Sequence, residues 1–96
     1  AAYARKMFGM YGGKEEWVRI ECDNSFAGVM IDRFGKDVSM IRLDDKRFVV
    51  NVEVAVSRQF LAWIMGLGEG VTLAGPDNVV EMMNAEIDRL IKQYKK

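Results

Sequence analysis

The sequence predicts an α+β domain: a ferredoxin-like split βαβ sandwich (β-α-β-β-α-β) with an extra helix at each end. Three observations predict it. Alternating stretches mark strands, Phe48, Val50, Val52, Val54 and Val56 against Val49, Asn51, Glu53 and Ala55 being the clearest. Two short amphipathic segments, each opened by a capping residue, follow a strand at 24–34 and 57–67. A long segment after Gly75-Pro76 carries apolar residues three and four apart.

The elements follow in order. Ala4, Met7, Phe8 and Tyr11 give an i, i+3, i+4, i+7 stripe, so 1–11 reads as a helix stopped by Gly12-Gly13. Trp17 to Cys22 alternate, with Val18, Ile20 and Cys22 on one face and Trp17, Arg19 and Glu21 on the other. Asn24 or Ser25 is expected to cap the next helix by accepting from a free helix-end amide. That helix presents Phe26, Val29, Met30 and Phe34 inward and ends at Gly35, which suits a left-handed position. Val38 to Leu43 form the second strand, and Asp44-Asp45-Lys46-Arg47 the polar turn of a hairpin. Ser57 caps a helix with Phe60, Leu61, Ile64 and Leu67 inward. Val71 to Ala74 form the fourth strand, and Asp77 is expected to cap a last helix with Val80, Met83, Ile87, Leu90 and Tyr94 on one stripe.

Composition narrows the function. Ninety-six residues suit one small domain, and fourteen basic against fourteen acidic residues leave zero formal charge. A stand-alone duplex binder draws affinity from phosphate contacts and carries a basic excess, which is missing here. With no histidine, Ser-His and Cys-His pairs and histidine metal sites are excluded within these residues. Cys22 is the one cysteine and sits on an apolar strand face, so it reads as a small core residue and fits a reducing cytoplasm. No apolar run approaches the roughly 20 residues a membrane span needs. Gly66, Gly68 and Gly70 follow a helix instead of opening one, so they are a return turn, not a phosphate loop. Asp44 and Asp45 lack the further oxygen ligands a metal requires. No catalytic residue, metal or cofactor is expected, and the chain does not read as an enzyme.

Several residues stand out as recognition candidates, each with a plainer account beside it. Arg33 could grip a phosphate, a carboxylate or a partner carbonyl; it could equally be a helix-end arginine favoured by the macrodipole. Trp17, on the open side of the sheet, suits an interface hot spot or a stacking platform. Trp63 packs in or beside the core. Ser57, Arg58 and Gln59 open a helix and could bind an anion, although N-capping by Ser57 is the simpler role. The face of Val49, Asn51 and Glu53 offers no aromatic, which argues against RNA recognition there. Met83, Ile87, Leu90 and Tyr94 are dimer-contact candidates; the alternative is docking of the last helix on its own sheet.

Taken together, Met7-Phe8-Gly9-Met10-Tyr11-Gly12-Gly13, the stretch 23–36, Ser57-Arg58-Gln59-Phe60-Leu61-Ala62-Trp63, Leu67-Gly68-Glu69-Gly70-Val71 and Gly75-Pro76-Asp77-Asn78-Val79 resemble the C-terminal extension (WCX region) of WYL-domain helix-turn-helix transcriptional regulators. The resemblance spans nearly the whole chain. It implies a cytoplasmic homodimer in which this region relays signals and contributes dimer contacts. Residues 1–13 would be the trailing helix of the preceding WYL domain or a linker, and 14–96 the extension itself. DNA binding would belong to an upstream helix-turn-helix domain. Effector sensing, of a nucleotide or single-stranded nucleic acid, would belong to the WYL domain. The start at Ala1, inside a helical pattern, is read as the cut end of a longer protein. The competing account is a free-standing small-molecule binding module, since this fold type hosts many functions.

Overall fold

The computed structural model describes residues 14–95. The helix expected over 1–11 and its Met7, Phe8, Met10 and Tyr11 lie outside the described residues. Strand β1 (Lys14–Asp23) leads through a 3-10 turn (Asn24–Phe26) into α1 (Ala27–Phe34). A hairpin of β2 (Ser39–Arg42) and β3 (Arg47–Val56) follows, then α2 (Arg58–Gly66), β4 (Val71–Gly75) and α3 (Asp77–Tyr94). The four strands form one antiparallel sheet in the order β2-β3-β1-β4. The α+β class therefore stands. The arrangement is not a bare β-α-β-β-α-β unit, because the chain runs on from β4 into α3, an 18-residue third helix.

Alternation decides which side of the sheet is buried. Val18, Ile20 and Cys22 of β1 pair with Val52, Val50 and Phe48 of β3. These side chains share one face, and all but the half-buried Val52 are withdrawn from solvent. The helices close over that face with Met30 and Phe34 from α1, Phe60, Leu61 and Ile64 from α2, and Val79 from α3. Trp17, Arg19 and Glu21 point to the other face, as the register with Glu53, Asn51 and Val49 requires. There Glu21 accepts from both neighbouring cations, Arg47 at 3.7 Å and Arg19 at 3.8 Å.

Helix starts differ from expectation. Asn24 does not cap α1; its backbone belongs to the 3-10 turn, and its side-chain amide donates to the Asp45 carbonyl at 3.0 Å, tying that turn to the hairpin. Asp77 is the first residue of α3 and not its cap, since Pro76 holds the extended N-cap position after a cis Gly75-Pro76 bond. Its carboxylate still lies in the first turn, where the helix dipole favours an anion. Ser57 does cap: the Phe60 N–H donates to its Oγ at 3.3 Å. Gly35 ends α1 with φ of 95°, a conformation that other residues adopt only with strain.

The hairpin turn is held by one carboxylate. Asp44 Oδ1 accepts from the Lys46 N–H at 2.8 Å and the Arg47 N–H at 2.9 Å. Its Oδ2 accepts from the Arg47 guanidinium at 2.9 and 3.1 Å. These bonds, led by that of Lys46, hold the Asp44 carboxyl below the usual carboxylate range.

Candidate functional site

The sequence-selected residues fall into three places. The first is the layer between α1 and α2. Phe34 at the end of α1 meets Trp63 of α2 edge-on, with ring centroids 5.6 Å apart, and Trp63 lies 6.4 Å from Phe60. Arg33 sets its guanidinium carbon 5.8 Å from the Phe34 centroid, and partial burial lowers its pKa from the usual arginine value. Arg33 and Trp63 are thus drawn to one aromatic string, with Trp63 half-buried beside the core as expected.

The second place is the open sheet face. Trp17 lies there 66% exposed, directly opposite Glu53. Burying its indole needs a surface from elsewhere, and large aromatics in such positions dominate interface energetics.

The third place is the junction of α2 and α3. Ser57 serves as a cap, Gln59 is exposed, and Arg58 points across to α3. Its Nε donates to Glu86 Oε1 at 3.1 Å and its Nη2 to Oε2 at 3.3 Å. Arg89 donates to the same carboxylate at 3.0 Å and to Gln93 at 2.7 Å. Glu86 is only 15% exposed. The bond from Arg89, seconded by Arg58, holds its carboxyl below the ordinary 4.5 against the opposing effect of burial. Under this clamp lies an apolar cleft of about 210 Å³ between Leu61, Ala62 and Met65 of α2 and Leu90 of α3.

The dimer-contact candidates do not share one fate. Met83 packs against the core and Leu90 lines the cleft, whereas Ile87 and Tyr94 face solvent. The helix is therefore rotated from the inward stripe the sequence suggested. Val79 is its one fully buried residue among those described, and Asn78 anchors the same turn by donating to Glu16 of β1 at 2.6 Å. Glu86 and Arg89 were missed by the sequence reading. Their spacing of three is a helix-pair signal, but the decisive partner, Arg58, lies 28 positions away.

Among the described residues no group of three or more acidic or thiol side chains is placed to hold a metal. No described helix is long and apolar enough to cross a membrane.

A sheet with one helix-covered face, the Ser57-capped helix and the turn before Gly75-Pro76 all fall within the stretch 14–91, and that stretch matches the WCX domain. The chain belongs to the WCX family. This is the C-terminal domain of WYL-domain transcriptional regulators, a class not known for enzymatic activity. No curated protein matches the chain. Membership associates this WCX domain with WYL and helix-turn-helix regulator parts.

Proposed function

We propose that this WCX domain is the regulatory and effector-response module of a cytoplasmic WYL-type transcriptional regulator, and that it contributes dimer contacts. In this reading residues 1–13 are the trailing helix of the WYL domain or a linker. The helix-turn-helix lies upstream and binds DNA, and the WYL domain is the main sensor. A nucleotide or single-stranded nucleic acid bound there shifts its packing against α1 and α2, where Arg33 and Trp63 meet the Phe34 ring. That moves two DNA-binding domains relative to each other. Such coupling needs an effector that binds the two arrangements unequally.

The observation that carries the reading is the pair of unfilled surfaces on one well-packed sheet: Trp17 on the open face and the outer side of α3. A module that transmits position needs a rigid body with contacts on more than one side. The alternative, a free-standing small-molecule module, is less favoured. The α2–α3 cleft of about 210 Å³ falls short of the roughly 300–1,000 Å³ usual for ligand sites.

The test uses the full-length regulator, with operator DNA binding followed by fluorescence anisotropy with and without effector. Arg33→Ala and Trp17→Ala are expected to leave DNA binding intact and to weaken the effector-dependent change. An unchanged response in both variants, together with unchanged dimerisation, would sink the proposal.

A further inference from the structure

We infer that α3 pairs antiparallel with α3 of a second copy, with Ile87 at the two-fold axis; this rests on the dimer contact proposed above. Val80, Ile87 and Tyr94 stand seven residues apart, so they stay on one side of the helix, with Ile91 one turn from Ile87. That side turns away from the body of the domain: Ile87 is 42%, Ile91 50% and Tyr94 75% exposed. Monomeric domains bury such a stripe on a helix, so its exposure marks a contact.

Charge names the occupant and its direction. Asp77, Glu81 and Asp88 precede Lys92 and Lys95, and all five are exposed. Among the described residues none of the five is in an ion pair or side-chain hydrogen bond, unlike Glu86 and Arg89, which α2 engages. At 100° per residue these five flank the same edge of the Val80–Ile87–Tyr94 stripe. In an antiparallel pair that edge meets its own copy reversed. Val80 then lies by the partner helix's end, near the position of Tyr94, while Glu81 faces Lys92 and Asp77 faces Lys95. A parallel pair would instead set acid on acid and base on base along that edge. The macrodipole accounts for Asp77 and the terminal lysines, but not for Glu81 and Asp88, which lie beyond the first turn.

Single-cysteine cross-linking of the 96-residue chain tests the geometry, with sedimentation of the unmodified chain beside it. Ile87→Cys places two thiols together at the axis, whereas Tyr94→Cys places them about 21 Å apart along it at ~1.5 Å per residue. Both positions are exposed, so both variants should fold; Cys22 is buried and gives the background in the parent chain. Under mild oxidation Ile87→Cys is expected to form a covalent dimer and Tyr94→Cys is not. Cross-linking of both would mean a parallel pair and overturn the inference. Cross-linking of neither, in a chain that sediments as a dimer, would overturn it while leaving the dimer contact standing elsewhere. A chain that sediments as a monomer at every concentration would remove both. Reversing Lys92 and Lys95 to Glu should weaken association roughly tenfold, and adding Asp77→Lys with Glu81→Lys should restore it; failure to restore also counts against the pairing.

Discussion

Val79→Ala is the substitution that most directly tests how α3 sits. Val79 is the buried residue through which this helix joins the core. Alanine removes two methyl groups, about 1.6 kcal/mol of transfer free energy at ~0.8 each. The hollow left behind adds roughly 1 kcal/mol if neighbours relax only in part. The expected loss is about 2–3 kcal/mol, a fall in Tm of roughly 10 °C for a domain of this size. Ile87→Ala deletes more apolar surface, yet from an exposed position, and should change monomer stability by no more than ~0.5 kcal/mol. Urea and thermal unfolding followed by circular dichroism, at concentrations low enough to exclude association, measures both. The reasoning is refuted if Val79→Ala is neutral, or if Ile87→Ala costs as much. Either result would restore the inward stripe read from the sequence and would remove the outer face on which pairing depends.

Three further expectations concern the rest of the fold. A methyl group at Gly70 would stand 2.5 Å from the Phe26 ring and 3.0 Å from the Asp23 carboxylate, so Gly70→Ala should cost about 1–3 kcal/mol in a denaturant melt, and a wild-type midpoint would contradict the close approach. Burial, with Asp23 adding to it, pushes the Cys22 thiol from 9.0 up to about 11. Because the folded pKa is the higher one, the stability it supports is complete below pH 9.0 and is lost as pH rises toward about 11; Cys22→Ser should flatten that alkaline decline, and a thiol that alkylates readily at pH 8 in the native protein would be inconsistent with it. Glu86 has the opposite sign: its folded pKa is depressed, so its contribution is present above 4.5 and is lost as pH falls through the lower folded value. Glu86→Gln should reduce the acid-side slope of Tm against pH, while an unchanged slope would show that the α2–α3 clamp does not couple to folding.

Most elements were legible because their signals are local. The alternation of β3 fixes both its conformation and its buried face, since side chains in a strand take opposite sides in turn. The Ser57 cap and the Gly35 stop act within a turn of the chain, and the structure places both as read. Trp17 could be assigned to the open face from parity alone. Where the reading failed, the competing partner came from far along the chain. Asn24 has the chemistry of a cap, but the carbonyl of Asp45 claims its side chain. Pro76 sets the start of α3 one residue earlier than Asp77 suggested.

The sequence by itself determined the α+β class, the helix and strand order, the inward face of the sheet and membership of a recognisable family, because each rests on periodicity or on short-range capping chemistry. Only the tertiary structure decided which way α3 faces. Its apolar residues cover more than one stripe, so periodicity allows Val80–Ile87–Tyr94 or Val79–Met83–Leu90 to turn inward. The choice falls to contacts made from outside the helix: Val79 in the core, Asn78 on Glu16, and Arg58 on Glu86. Those contacts rotate Ile87 and Tyr94 to the surface, and the free face that results is a property of packing.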